Sequence, residues 1–173
     1  MNQEKIKKKK KKKAFFLDRD GVLNFDSGYT YQIKDFKWIP GAKKAIKLLK
    51  DLGFLIIVIT NQSGVSRGFY SEEDVKKLHN WMNMDLKKIS TSIDDFFFCT
   101  ELPNEKDISE SRRKPSPAML NEAILKYNLS RNLCFFLGDK KSDLEASKNA
   151  KIKGFLFTGG DLHDEITKIL KEN

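Results

Sequence analysis

Asp18-Arg19-Asp20-Gly21 places two carboxylates two residues apart, directly after the apolar stretch Ala14-Phe15-Phe16-Leu17. A carboxylate can attack phosphorus and form a reversible acyl phosphate. A second one close by can protonate the leaving oxygen and later take a proton from water. Three further stretches carry matching chemistry. Thr60 ends the apolar run 54–59, Lys114 lies within Arg113-Lys114-Pro115, and Gly138-Asp139-Lys140-Lys141-Ser142-Asp143 follows Leu133-Cys134-Phe135-Phe136-Leu137. A hydroxyl and an ammonium can stabilise charge on phosphoryl oxygens. Clustered carboxylates that must accept a phosphate require a cation, and hard oxygen donors suit Mg²⁺. Taken singly, each stretch has an ordinary account: a strand-to-turn junction, a surface lysine, acids that favour a helix start through its dipole. Together, in this order and each at the end of an expected element, they point to phosphoryl transfer.

The elements that must position these groups are legible as apolar runs of strand length at 14–17, 54–60, 93–99, 133–137 and 153–157. Four are nearly continuous in apolar residues, as expected of strands covered on both faces. Between them lie helical patterns. Ala42-Ala45-Ile46-Leu48-Leu49-Leu52 stops at Gly53, a suitable C′ glycine. Ser71 followed by Glu72-Glu73-Asp74 predicts a capped helix with Val75, Leu78, Trp81, Met82 and Leu86 inward. Ser116-Pro117 opens a third helix with Met119, Leu120, Ala123, Ile124 and Tyr127 inward, and residues 142–150 and 162–170 complete the alternation. Strand and helix alternating about five times predict an α/β fold: a three-layer, Rossmann-like parallel sheet with helices on both faces. Ligands of such sheets bind beyond the carboxyl ends of the strands, which is where the reactive residues fall.

Length and composition fit a single packed domain. The chain has 173 residues, 39% of them hydrophobic and thirteen of them Phe. Its formal net charge of +9 is local: residues 1–13 hold eight lysines against Glu4, so the remainder carries only +2. A block of like charges repels itself, and residues 1–13 are expected to be a disordered, solvated tail ahead of a domain spanning 14–173. A tether to nucleic acid or an acidic membrane is the alternative use of such a run. The near balance of the remainder gives no expectation of nucleic-acid binding by the folded domain. No apolar h-region follows the lysines, and no run approaches the roughly 18 residues that span a bilayer, so a cytoplasmic protein is expected. Cys99 and Cys134, each at the border of an apolar run, read as buried free thiols.

The motifs resemble those of the haloacid dehalogenase (HAD) superfamily of phosphohydrolases from about Ala14 onward. Asp18-x-Asp20-Gly21 is similar to its first motif, Thr60 to its second, Lys114 to its third and Gly138-Asp139 with Asp143 to its fourth. The resemblance implies Asp18 as nucleophile, Asp20 as general acid and base, and Thr60 and Lys114 as phosphoryl-oxygen partners. It also implies Mg²⁺ held by Asp18, the backbone carbonyl of Asp20 and Asp139, with Asp143 behind them. The intervals between motifs leave no room for a separate cap domain, so loops around an open cleft must set specificity. Those loops resemble the D,D-heptose 1,7-bisphosphate phosphatase family: residues 24–29, 60–68 and 113–120, with Gly138-Asp139-Lys140. By that resemblance Arg19, Asp26, Ser27, Gly28, Tyr29, Asn61, Gln62, Ser63, Arg67, Arg113 and Lys140 contact substrate. Arg67, Arg113 and Lys140 suit the second anionic end of a bisphosphorylated sugar. The implied reaction is removal of the 7-phosphate from D-glycero-D-manno-heptose 1,7-bisphosphate by a monomer, in nucleotide-heptose and surface polysaccharide synthesis.

Histidinol-phosphate phosphatases share most of these motifs and remain an alternative. A nucleic-acid 3′-end phosphatase could use the lysine tail, and an inert binding module on the same fold is the non-enzymatic alternative. One departure stands out. Relatives commonly carry a zinc loop, Cys-x-His and later Cys-x-Cys before Arg-Lys-Pro, whereas here the partner position of Cys99 is Glu101 and the later pair reads Glu110-Ser111-Arg112. A structural zinc wants four Cys or His ligands, so no zinc is expected. Loop 100–112 must then be held otherwise, with charge pairs among Glu101, Glu110, Arg112 and their neighbours the expectation.

Overall fold

The computed structural model describes residues 12–103 and 107–173. Five parallel strands form one sheet in the order β3-β2-β1-β4-β5. They are β1 (Lys12–Leu17), β2 (Leu55–Asn61), β3 (Asp95–Cys99), β4 (Leu129–Gly138) and β5 (Lys153–Leu156). The helices are α1 (Ala42–Asp51), α2 (Glu72–Lys87), α3 (Ala118–Tyr127), α4 (Lys141–Asn149) and α5 (Leu162–Glu172). Alternate side chains of a strand point to opposite faces, and β1 divides the core accordingly. Phe15 and Leu17 pack with residues of α1, α2 and α5, while Ala14 and Phe16 pack with residues of α3 and α4. This is the three-layer sandwich the alternation of apolar runs predicts. Among the described residues no helix is long and apolar enough to cross a membrane.

Local chemistry sets the helix ends. Ser71 caps α2 by accepting from the Asp74 N–H at 3.2 Å, and the Asp74 carboxylate accepts from the Ser71 N–H at 3.0 Å. Pro117 occupies the N-cap of α3 rather than its first turn. Trp81 is half-buried against the core, and His79, also on α2, is buried.

Two strands differ from expectation. β1 starts at Lys12, so the last two lysines assigned to the tail belong to the sheet; the rest of that expectation, residues 1–11, lies outside the described residues. Backbone pairing is indifferent to side-chain charge, and the Lys13 ammonium rests 4.2 Å above the Phe54 ring. β4 begins at Leu129, four residues earlier than its apolar run. It pairs Lys12 with Leu129 and Ala14 with Cys134, a shift that leaves Leu133 44% exposed instead of in the core.

The segment from Asp20 to β2 holds a loop, a single turn of 3-10 helix (Ile33–Asp35) and α1, and the segment from β2 to Lys114 holds α2, β3 and a loop. Neither contains a cap domain among the described residues. From β1 the chain builds β2 and β3 on one side, then crosses to build β4 and β5 on the other. The crevice at this reversal, beyond the carboxyl ends of β1 and β4, is the position where such sheets bind ligands.

Candidate active site

The carboxyl ends of β1, β2 and β4 bring Asp18, Thr60 and Asp139 to one cleft mouth, and Lys114 reaches it from the segment before α3. Asp18 and Lys114 are buried, with the Lys114 ammonium 3.0 Å from Asp18 Oδ2 and 2.7 Å from Asp143 Oδ1. The ammonium also donates to the Ile59 carbonyl at 2.9 Å. The other Asp18 oxygen accepts from the Arg19 N–H at 2.7 Å.

Carboxylate oxygens of Asp18, Asp139 and Asp143 all lie within 4.8 Å of one another. Burial drives the Asp18 carboxyl up to about 7, against the pull of Lys114 and helped by Asp143 and Asp20. Burial also raises Asp139. Burial alone would depress Lys114, but Asp18 and Asp143 overcome it and raise its pKa. Asp139 Oδ1 is buried without a hydrogen-bond partner among the described residues. A buried carboxylate oxygen lacking a donor, beside two more carboxylates, fits a hard divalent cation of the Mg²⁺ type.

Two glycines make this crowding feasible. A Cβ on Gly21 would come within 2.2 Å of Asp139 Oδ2, at a φ of +86° that disfavours any side chain. A Cβ on Gly138 would meet Asp143 Cβ at 2.2 Å. Asp143 also accepts from the Lys140 N–H at 3.0 Å, fixing the start of α4.

Asp20 is held by three residues. Its carboxylate accepts from Arg19, from Asn24 Nδ2 at 2.9 Å and from Gln62 Nε2 at 2.8 Å. Gln62 is itself oriented: Tyr70 donates to its Oε1 at 2.8 Å, while its Nε2 also lies 3.0 Å from the Thr60 hydroxyl.

The cleft encloses about 530 Å³ and is lined by Asp18, Asp20, Thr60 and Lys114 together with Asp26, Gly28, Tyr29, Asn61, Gln62, Ser63, Arg113 and Lys140. Three expected contacts fall elsewhere. Arg19 is fully buried and donates to Asp20 and, at 2.6 Å, to the Thr30 carbonyl; it lies 3.4 Å from His79 Nε2. Its charge is used on Asp20 rather than in the cleft, because a buried guanidinium needs a carboxylate partner. The Ser27 hydroxyl pairs with that of Thr30 at 3.0 Å, and Ser27 is absent from the lining although its neighbours Asp26 and Gly28 belong to it. Arg67 is exposed outside the lining, although its charge, after burial, contributes to lowering the Arg113 pKa.

Tyr70, Pro103, Ile108 and Ser111 also line the cleft, although the motifs did not point to them, and Ser142 joins them from within the 138–143 stretch. Only Tyr70 had a usable signal, because a Cβ on Gly64 would meet its ring at 2.2 Å, a close approach that a glycine next to a motif hints at. His79 had none: its stacking on Phe96, at 4.2 Å and 13°, depends on tertiary placement. Burial first, then Arg19, holds its imidazole well below the usual pKa, so it stays neutral beside that guanidinium.

The loop after β3 is organised by Glu101 and Arg112. Glu101 Oε2 accepts from the Ser111 hydroxyl at 2.5 Å and the Arg112 N–H at 3.1 Å, while Arg112 makes two bonds to Glu122 of α3 at 2.8 and 2.7 Å. The charge pair that Arg112 makes runs to Glu122 of α3, while Glu101 holds the Arg112 backbone. The Arg112 side chain points toward that helix, within reach of its Glu122.

A family model described as polynucleotide kinase 3 phosphatase matches residues 13–155. The chain is 43% identical to a D-glycero-beta-D-manno-heptose-1,7-bisphosphate 7-phosphatase from Pasteurella multocida, over 82% of this chain and 79% of that protein. It is 39% identical to the enzyme of the same name from Rhodopseudomonas palustris, over 92% of this chain and 91% of that protein. It belongs to the HAD phosphatases of the heptose bisphosphate family. The crystal structure of a member of that family, the D,D-heptose 1,7-bisphosphate phosphatase from B. bronchiseptica complexed with magnesium and phosphate, superposes with a TM-score of 0.83 at 26% identity. The match covers 93% of this chain and 99% of that one. The cluster of Asp18, Lys114, Asp139 and Asp143 lies at the sheet's switch point, and no cap domain covers the cleft among the described residues.

Proposed function

We propose that this protein is a Mg²⁺-dependent phosphatase that removes the 7-phosphate of D-glycero-D-manno-heptose 1,7-bisphosphate through an aspartyl-phosphate on Asp18, leaving heptose 1-phosphate. The observation that carries the reading is one cluster: Asp18 Oδ2 lies 3.0 Å from Lys114, with Asp139 and Asp143 close enough to share a cation. The named activity of the relatives at about 40% identity supports the substrate.

In the first step a carboxylate oxygen of Asp18 attacks phosphorus. The bond to the sugar oxygen breaks, and Asp20 protonates that oxygen as it leaves. In the second step Asp20 takes a proton from a water that attacks the same phosphorus. Inorganic phosphate departs and the Asp18 carboxylate is restored. Lys114 pulls the Asp18 carboxyl toward its charged, nucleophilic form against the effect of burial and, with the Thr60 hydroxyl, offers donors to the phosphoryl oxygens. Both Asp20 oxygens are already hydrogen-bonded, so it must release one donor to reach the leaving group, and Gln62, at the cleft wall, is suited to let go. Mg²⁺, held by Asp18, Asp139 and the Asp20 carbonyl with Asp143 behind them, would supply positive charge against the phosphate. Asp26, Gly28 and Tyr29 on one side and Asn61 and Ser63 on another shape the sugar site. Arg113 and Lys140 serve the second phosphate.

No structural zinc enters this reading, because Glu101, Glu110 and Arg112 occupy the positions where relatives carry ligands. The product suits nucleotide-heptose synthesis in the cytoplasm. The family model's description favours one other reading, a phosphatase acting on nucleic-acid 3′ ends. The nearly balanced charge of residues 14–173 gives that reading little electrostatic support.

The test is Mg²⁺-dependent phosphate release across heptose 1,7-bisphosphate, histidinol phosphate and a 3′-phosphorylated oligonucleotide. Highest kcat/KM on the heptose bisphosphate is expected, with turnover abolished in Asp18→Asn. Higher efficiency on either other substrate would replace this assignment.

A further inference from the structure

Residues 111–114 present Arg113 and Lys114 to the cleft, and each end of this short segment is fastened by a different partner. At the far end, Asn61 at the end of β2 exchanges two bonds with the Lys114 backbone: its Nδ2 donates to the Lys114 carbonyl at 3.2 Å and its Oδ1 accepts from the Lys114 N–H at 3.0 Å. At the near end Glu101 does the fastening. Its Oε2 receives the Ser111 hydroxyl at 2.5 Å and the backbone N–H groups of Arg112 at 3.1 Å and Arg113 at 3.4 Å. Its backbone carbonyl accepts from Arg113 NH1 at 3.0 Å, and Ser111 Oγ adds a bond from the Arg113 N–H at 2.9 Å.

We infer that Glu101 is a positioning residue for Arg113: its carboxylate gathers the turn 111–113 and thereby aims the guanidinium at the second phosphate of the substrate. One charged acceptor collecting a hydroxyl and successive N–H groups is a strong, directional clasp. It also explains how this loop keeps its shape with a single cysteine, Cys99, two residues away. Arg112, carried outward to Glu122, resists rotation of the segment about its own axis, which would swing Arg113 out of the cleft. Glu101 touches no reacting atom. Its effect therefore falls on binding of the distal phosphate and not on the phosphorus that reacts. The inference rests on the proposed bisphosphate substrate for its kinetic consequence, though not for the clasp itself.

Two measurements test it, on Glu101→Ala, Glu101→Gln, Arg113→Ala and the Glu101→Ala/Arg113→Ala double variant of the full chain. The first is amide hydrogen exchange across residues 107–114 without substrate. Faster exchange at Arg112 and Arg113 in Glu101→Ala, with partial protection restored in Glu101→Gln, is expected; unchanged exchange would overturn the clasp. The second compares heptose 1,7-bisphosphate with heptose 7-phosphate. Glu101→Ala should raise KM for the bisphosphate about tenfold or more, with kcat and the monophosphate parameters nearly unchanged. The double variant should be no worse than Arg113→Ala alone, because both act through one guanidinium. Equal losses on both substrates, or additive losses in the double variant, would overturn the positioning role. Should the wild-type protein fail to distinguish the two substrates, the bisphosphate reading falls, and the exchange measurement alone decides whether Glu101 is the clasp.

Discussion

The Lys114 ammonium lies 2.7 Å from Asp143 and 3.0 Å from Asp18, so a single buried cation bridges the fourth motif to the first. Replacing it with alanine would leave two carboxylates buried together without a counter-charge. Removing one partner of a buried ion pair costs about 3–5 kcal/mol, and removing a donor aimed at the reacting group costs roughly 10²–10³-fold in kcat. Lys114→Ala should therefore lose both. A denaturant melt and Mg²⁺-dependent turnover measure them separately, and a variant of unchanged stability would mean that Asp18 and Asp143 do not depend on this ammonium.

Tyr70 acts on Asp20 without touching it. By donating to Gln62 Oε1 it fixes which way the amide faces, and so presents Nε2 to Asp20 at 2.8 Å. Tyr70→Phe keeps the ring stacked 4.8 Å from Tyr31 but removes that constraint. Loss of about one hydrogen bond is worth roughly 1 kcal/mol, so kcat should fall several-fold with KM nearly constant. Gln62→Ala, which removes the contact itself, should fall further. Steady-state kinetics of the pair check the order; equal effects of the two would argue against a relay through the amide.

Much of this was legible because each reactive group follows an apolar run, and such runs become strands whose ends share one edge of a parallel sheet. Asp18, Thr60 and Asp139 needed only that rule. Arg19 misled because it stands between two functional aspartates: neighbours in a turn point in different directions, and only the folded chain shows its guanidinium inside, on Asp20. Tyr70 and His79 lay beyond reach for another reason. Their roles come from packing against Gln62 and Arg19, which are distant in the chain, and no periodicity encodes that. Leu133 shows the limit of hydropathy itself, since an irregularity in the β1–β4 pairing turned an apolar residue outward.

Gly21 is placed where a methyl group would sit 2.2 Å from Asp139 Oδ2. Gly21→Ala must push that carboxylate aside or bend the turn, at a φ that alanine tolerates poorly. Disturbing the support of a metal ligand typically weakens affinity about 10–100-fold. The Mg²⁺ concentration for half-maximal activity should rise by that order, with part of the maximal rate recovered in excess Mg²⁺. A titration of activity with Mg²⁺ checks this, and an unchanged half-saturation point would separate Asp139 from cation binding.

Away from the cleft, Asp85 ties α2 to α1 and to the loop before it. Its carboxylate pairs with Lys43, accepts from Trp38 Nε1 at 2.9 Å and lies 3.2 Å from Lys88; the bond from Lys43 leads the causes that hold its pKa down at about 2. The unfolded chain binds this proton near the ordinary value of 3.8, so between the two values the unfolded state carries more protons. The stabilisation is thus fully present at neutral pH, begins to fade as pH falls below about 5, and is gone below about 2. Lys88 and, in part, Lys43 are solvent-exposed, and screening reduces the contribution to about 1–2 kcal/mol. Asp85→Asn keeps an oxygen for the Trp38 N–H and removes only the charge. It should lower Tm by a few degrees at pH 7, with the gap to the wild-type protein closing as pH approaches 2. Thermal melts at intervals across that range decide the matter: a gap independent of pH would assign the effect to packing, and a gap that widened toward acid would reverse the sign derived from the depressed pKa.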